Sequence, residues 1–133
     1  MYRKNMKLNF GIIGCGRIAQ RHAEHILKTT GTNLTAVCDI KKIKADTFGN
    51  KYEADIYYSV NELLKNSNID IVSICSPNGL HAEHTINSLN AGLHVLCEKP
   101  MAITTYDCGE MIKAAEKANK RLFIIKQNRY QIL

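Results

Sequence analysis

The chain has 133 residues, 45% of them apolar and 23% charged, with a formal net charge of +6. That length fits one domain with a real buried core. No apolar run approaches the roughly 20 residues needed to cross a bilayer, so a membrane partner is not expected. The lysines are spread along the chain and no basic cluster is interleaved with aromatics, so nucleic acid is not expected either. The basic start, Met1-Tyr2-Arg3-Lys4-Asn5, lacks the long apolar region and cleavage site of a secretory signal. The five cysteines are Cys15, Cys38, Cys75, Cys97 and Cys108, with no CxxC pair. An odd, unpaired set argues for reduced thiols and a cytoplasmic protein.

Strand-length apolar runs alternate with helical patterns. Lys7–Ile13 reads as the first strand. Ile18–Thr29 follows, with Ile18, Ala19, His22, Ala23, Ile26 and Leu27 at helical spacing, one buried stripe closed by Gly31. Leu34–Asp39 reads as a strand, Lys41–Tyr52 as a helix weakened by Gly49, and Asp55–Tyr58 as a short strand. Ser59-Val60-Asn61-Glu62 is a capping box opening a helix through Leu64. Ile69–Cys75 is nearly continuously apolar, as a strand covered on both faces must be. A helix over His81–Ala91 ending at Gly92, a strand over His94–Cys97, a helix from Thr104 or Thr105 to Ala118 and a strand over Leu122–Lys126 complete the series. Such alternation predicts an α/β fold: a doubly wound parallel sheet of about six strands with right-handed crossovers. Residues 127–133 leave the last strand without a closing helix. They read as the start of a connection to a missing second domain, with 1–126 as a nucleotide-binding domain of the Rossmann type.

The first strand runs into Gly14-Cys15-Gly16-Arg17-Ile18-Ala19, a G-x-G-x-x-A turn. Gly14 permits the tight turn, Gly16 lets a pyrophosphate approach the backbone, and Ala19 lets helix and strand lie close. The helix then offers its N–H groups and dipole to phosphates. Gly14, Cys15, Gly16, Arg17 and Ile18 are therefore candidate cofactor-binding residues, with Arg17 either on a phosphate or solvated. Asp39 lies 23 residues beyond Gly16, near the spacing of a carboxylate that accepts the adenosine ribose hydroxyls. Alternatively it caps the next helix. A carboxylate there repels a 2′-phosphate and favours NAD, while Lys41 and Lys42 leave NADP open.

Ligands of such sheets lie beyond the carboxyl ends of the strands. Two loops stand out there: Ser76-Pro77-Asn78-Gly79-Leu80-His81 and Glu98-Lys99-Pro100-Met101. A Glu-Lys pair ending an apolar strand is not what packing needs. A lysine at the mouth of a crevice can handle protons, though a surface turn reads as readily.

Together, the glycine turn, the Ser-Pro-Asn-x-x-His loop and the Glu-Lys-Pro loop resemble the N-terminal domain of the glucose–fructose oxidoreductase / inositol dehydrogenase (Gfo/Idh/MocA) family, in order and spacing over almost the whole chain. The resemblance implies an NAD(P)-dependent oxidoreductase that transfers hydride to or from a hydroxyl carbon of a small-molecule sugar or sugar nucleotide. It makes Lys99 a catalytic residue assisting proton transfer and sets Glu98 beside the nicotinamide ribose. It has Ser76, Pro77 and Asn78 line the cofactor and points His81 at the same crevice. Ser76 stands where many members carry threonine. The stretch Ile125-Lys126-Gln127-Asn128-Arg129-Tyr130 resembles the branch that oxidises C3 of UDP-N-acetylglucosaminuronic acid in surface polysaccharide synthesis. A homo-oligomer is expected of the full-length protein, and little or no turnover of the 133 residues alone.

Two other readings share parts of this pattern. A non-catalytic nucleotide-sensing module uses the same fold but has no need of Lys99. An adenosylmethionine-dependent methyltransferase shares the glycine turn and the acidic residue but not the Glu-Lys-Pro loop. The pairs His22/His25 and His81/His84 have no third ligand nearby in sequence, so no metal is expected. His22 belongs to the packed stripe and His84 to the helix surface. Cys15 has no identifiable base and reads as a tolerated small side chain.

Overall fold

A computed structural model describes residues 6–66 and 68–126. Strands β1 (Leu8–Ile13), β2 (Thr32–Cys38), β3 (Asp55–Tyr57), β4 (Ile71–Ile74), β5 (His94–Cys97) and β6 (Leu122–Ile124) alternate with helices α1 (Arg17–Lys28), α2 (Lys42–Tyr52), α3 (Val60–Leu64), α4 (His81–Asn90) and α5 (Thr105–Ala118). The sheet order is β3-β2-β1-β4-β5-β6, and every neighbouring pair is parallel. After β3 the chain returns to the other side of β1. The strand order therefore reverses between β1 and β4, where doubly wound sheets leave their ligand crevice.

Two apolar layers hold the sheet. Ile12, Ala19, Ala23, Ile26, Leu34, Val37 and Phe48 form one, beneath α1 and α2. Ile13, Leu63, Val72, Ile74, Leu89, Val95, Met111 and Ala114 form the other, beneath α3, α4 and α5. The stripe of α1 buries Ala19, His22, Ala23 and Ile26, as its spacing requires. Ser59 accepts from the Glu62 amide at 3.2 Å and Thr104 from the Asp107 amide at 3.0 Å, each stopping the chain in extended backbone before a helix.

Differences from the sequence reading are local. β2 begins two residues earlier than expected, at Thr32, and β4 and β6 are shorter than their apolar runs. Ladder pairing decides a strand's length, and those runs continue past their partners. Gly49 is not merely tolerated in α2. A Cβ there would overlap the Ile56 side chain, so the glycine lets the helix lie against β3. The short 3₁₀ turn Asn78–Leu80 that leads into α4 was not foreseen. The stretch at 127–133, read as the start of a connection, lies outside the described residues. No described helix is long and apolar enough to cross a membrane.

Candidate cofactor site

The turn after β1 is built by main-chain bonds. The Gly14 amide donates to the Cys38 carbonyl at 2.8 Å, and the Cys75 amide donates to the Ile13 carbonyl at 2.8 Å. These lock the ends of β1, β2 and β4 together. Gly14 has φ +94°, and a Cβ on it would sit 2.7 Å from the Cys75–Ser76 backbone. Both facts demand glycine. A Cβ on Gly16 would meet no protein atom within 4 Å, so that side of the turn faces open space.

Gly16 caps α1, no side chain accepts from the first-turn amides, and no acidic residue occupies that turn. The N–H groups that begin at Arg17 and Ile18 are thus left for an anion. Arg17 is exposed and Ile18 half-buried.

Asp39 stands immediately beyond β2 and holds two elements at once. Its Oδ2 accepts from the Cys15 amide at 3.0 Å, and its Oδ1 accepts from the Lys41 amide at 2.8 Å. The helix-capping alternative is not realised: Lys41 is the cap residue of α2, no side chain caps the helix, and Asp39 bonds the amide of the cap residue itself. The same carboxylate borders an open cleft of about 320 Å³, together with Gly14, Cys15, Gly16, Ser76 and Pro77. Ile40, Lys41, Lys44, Val60, Leu80 and His84 also line that cleft. Spacing arguments missed Ile40, Lys44, Val60, Leu80 and His84. Apolar residues just past a strand end were the available signal.

His84 corrects the expectation of a surface histidine. It is half-buried, its Nδ1 lies 2.8 Å from Ser76 Oγ, and burial holds its imidazole below the ordinary value. His81 is also corrected. It is 1% exposed and turns inward, away from the cleft. Its Nδ1 lies 2.7 Å from the Pro100 carbonyl and its Nε2 2.8 Å from the Ser76 carbonyl. Each ring nitrogen faces a backbone carbonyl, and the one carrying the proton donates to it, so neither nitrogen is directed at a ligand. It ties the loop after β4 to the loop after β5.

Asn78 is exposed and begins the 3₁₀ turn. Lys99 is exposed at the carboxyl end of β5, and the Lys99–Pro100 peptide is cis. Glu98 is 6% exposed, its amide donates to the Ile74 carbonyl at 3.0 Å, and its Oε1 lies 2.6 Å from His22 Nε2. That contact joins β5 to α1 and was not anticipated, because His22 was assigned to packing alone.

Burial, with Asp39 beside it, pushes the Cys15 thiol up to about 12. A thiol held neutral is no nucleophile. No group of three or more His, Cys, Asp or Glu side chains that could hold a metal occurs among the described residues.

A parallel sheet of order 3-2-1-4-5-6, a glycine turn opening onto a helix N-terminus and a carboxylate at the end of β2 define a dinucleotide-binding domain. The chain belongs to the Gfo/Idh/MocA oxidoreductase family, whose model, described as an NAD-binding Rossmann fold, matches residues 8–126. Inositol 2-dehydrogenase of Salmonella typhimurium is 37% identical over 120 residues, covering 88% of this chain and 36% of that protein. D-glucoside 3-dehydrogenase of Escherichia coli is 39% identical over 117 residues, covering 86% and 33%. A crystal structure of the WlbA dehydrogenase from Chromobacterium violaceum in complex with NADH and UDP-GlcNAcA superposes with a TM-score of 0.92 at 39% identity, covering 96% of this chain and 37% of that one. The chain thus spans about a third of the length of these relatives. The domain is an NAD-binding Rossmann fold, and solved relatives carry NADH or NADP.

Proposed function

We propose that this chain is the cofactor-holding part of an NAD-dependent dehydrogenase that oxidises a ring hydroxyl of a sugar nucleotide, UDP-N-acetylglucosaminuronate at C3. The observation that carries the reading is the joint placement of two units at the carboxyl end of the sheet. The Gly14–Gly16 turn with Asp39 forms the first, and Glu98-Lys99 at the end of β5 the second. His81 bridges the loops between them with bonds of 2.7 and 2.8 Å. The likeness to the WlbA dehydrogenase with NADH and UDP-GlcNAcA supports this substrate, and the D-glucoside 3-dehydrogenase at the same 39% identity is the competing case.

In this reading the first-turn amides of α1 and the Cys15–Ile18 backbone hold the pyrophosphate. Asp39 accepts the adenosine ribose hydroxyls, exchanging its present main-chain donors for them in part. Ile40 and Leu80 offer apolar walls to the adenine, and Lys41 and Lys44 add positive charge at the rim. Ser76, Pro77 and Asn78 line the middle of the cofactor path, and Glu98 lies beside the nicotinamide ribose. Bound NAD supplies the hydride acceptor. Lys99 takes the proton of the substrate hydroxyl as hydride leaves its carbon, the service an exposed amine at a crevice mouth is suited to. The part of the full-length protein outside this chain, about two thirds by the length of its relatives, carries most substrate contacts. The full-length protein is a cytoplasmic homo-oligomer, and the 133 residues bind cofactor without turning over.

The test is absorbance at the reduced-nicotinamide band, with full-length protein, NAD and a panel of sugars. Reduction with UDP-N-acetylglucosaminuronate, abolished by Lys99→Ala, is expected. Reduction with a free polyol but not with this sugar nucleotide would overturn the substrate.

A further inference from the structure

We infer that His22 is a positioning residue for the nicotinamide end of the site, holding the Glu98 carboxylate and thereby the Glu98-Lys99 corner of β5. The inference rests on the reading that this corner lies beside the nicotinamide. His22 and Glu98 are 76 residues apart in sequence, yet Nε2 and Oε1 meet at 2.6 Å. Both side chains are buried, at 7% and 8% exposure. Among the described residues the other side-chain ion pair, Lys113 with Glu110, is exposed and local at 3.4 Å. An ionised carboxylate only accepts, so His22 Nε2 donates. A buried carboxylate stripped of its donor is strongly disfavoured, so the direction Glu98 takes depends on His22.

The placement of His22 matters as much as the bond. α1 begins at Arg17 beside the glycine turn, and His22 lies farther along the same helix. One rigid element therefore supports both ends of an extended dinucleotide: its N-terminus the pyrophosphate, its buried histidine the corner that carries Lys99. The Glu98 amide, bonded to the Ile74 carbonyl, pins the backbone of that corner to β4. His22 then fixes the remaining freedom of the side chain.

The test compares NADH with ADP-ribose, which lacks the nicotinamide, by titration against the parent chain, His22→Ala and His22→Gln, with thermal melts alongside. For His22→Ala, NADH affinity is expected to fall about tenfold, the scale of one hydrogen bond to a charged group, while ADP-ribose affinity stays within about twofold. Because its amide still donates to Glu98, His22→Gln should bring NADH back to within about threefold of the parent. Equal losses for both ligands, no loss for either, or a glutamine variant no better than alanine would overturn the inference. Where His22→Ala does not fold, Glu98→Gln and NMR carry the test. The parent should show a slowly exchanging His22 ring N–H that Glu98→Gln makes fast, and a parent without one contradicts the inference. Equal affinity of the parent for NADH and ADP-ribose would instead remove the underlying placement of the nicotinamide, and this inference with it.

Discussion

The Asp39 carboxylate accepts a hydrogen bond from the Cys15 amide at 3.0 Å, so the residue that follows β2 and the turn that follows β1 form one unit. With its other oxygen on the Lys41 amide at 2.8 Å, Asp39 is oriented before any ribose arrives. Ordering a binding group in advance lowers the cost of binding.

Replacing Asp39 should therefore cost affinity and change cofactor choice together. Asp39→Ser is expected to weaken NADH about 10–100-fold, the loss of bonds to a charged acceptor. NADPH should weaken much less, because the repulsion of its 2′-phosphate goes with the carboxylate while Lys41 and Lys44 remain. Fluorescence titration with both cofactors measures the ratio, and an unchanged NADH/NADPH preference would contradict this role.

The two glycines of the turn separate folding from binding. Gly14→Ala forces a Cβ into the Cys75–Ser76 backbone at positive φ, which should cost about 3 kcal/mol and lower Tm by roughly 10 °C. Gly16→Ala meets no protein atom, so its melt should stay within a few degrees while NADH affinity collapses. A folded Gly16→Ala chain that binds NADH normally would show that the pyrophosphate does not lie there.

These contrasts mark what was legible beforehand. Alternating apolar runs disclosed all six strands, and Gly14-Cys15-Gly16 disclosed a glycine turn opening onto a helix, because local periodicity and turn chemistry determine both. The side-chain contacts between distant elements were not legible. His22 sits on an apolar stripe and nothing within α1 announces Glu98, 76 residues away. His81 reads as a polar residue beside a ligand loop, but its ring serves two backbone carbonyls that only the folded loops bring together. His84 borders the cleft through its contact with Ser76, a loop residue that helical spacing alone does not bring to it.

The thiols should behave as buried hydrophobes. Burial pushes Cys15 and Cys38 up to about 12 and Cys97 up to about 11, and it raises Cys75 as well. At pH 8 a thiol reagent should label the half-buried Cys108 first, and the rest only on unfolding. In the folded state these thiols keep protons that the unfolded chain releases above pH 9.0. Their contribution to stability is therefore complete below that pH and is lost as pH rises toward 11–12. Urea melts between pH 8 and 11 should show the loss, and Cys38→Ala should flatten it.

His84 titrates in the opposite sense. Burial lowers its value below 6.5, so the folded state disfavours the charged ring. The stability this provides is present above the ordinary histidine range and is lost as pH falls through the folded value. An NMR titration should place its midpoint below 6.5. Ser76→Ala, which removes the 2.8 Å contact to Nδ1, should cost about 1 kcal/mol.

NAD is expected to run from Asp39 across the glycine turn to Lys99, and intermolecular NOEs from bound NADH to this chain report that path. Contacts are expected from the nicotinamide protons to the Lys99 side chain and from the adenosine protons to the Ile40 and Leu80 methyls. Nicotinamide contacts confined to residues distant from Lys99, with adenosine still at Ile40, would contradict it.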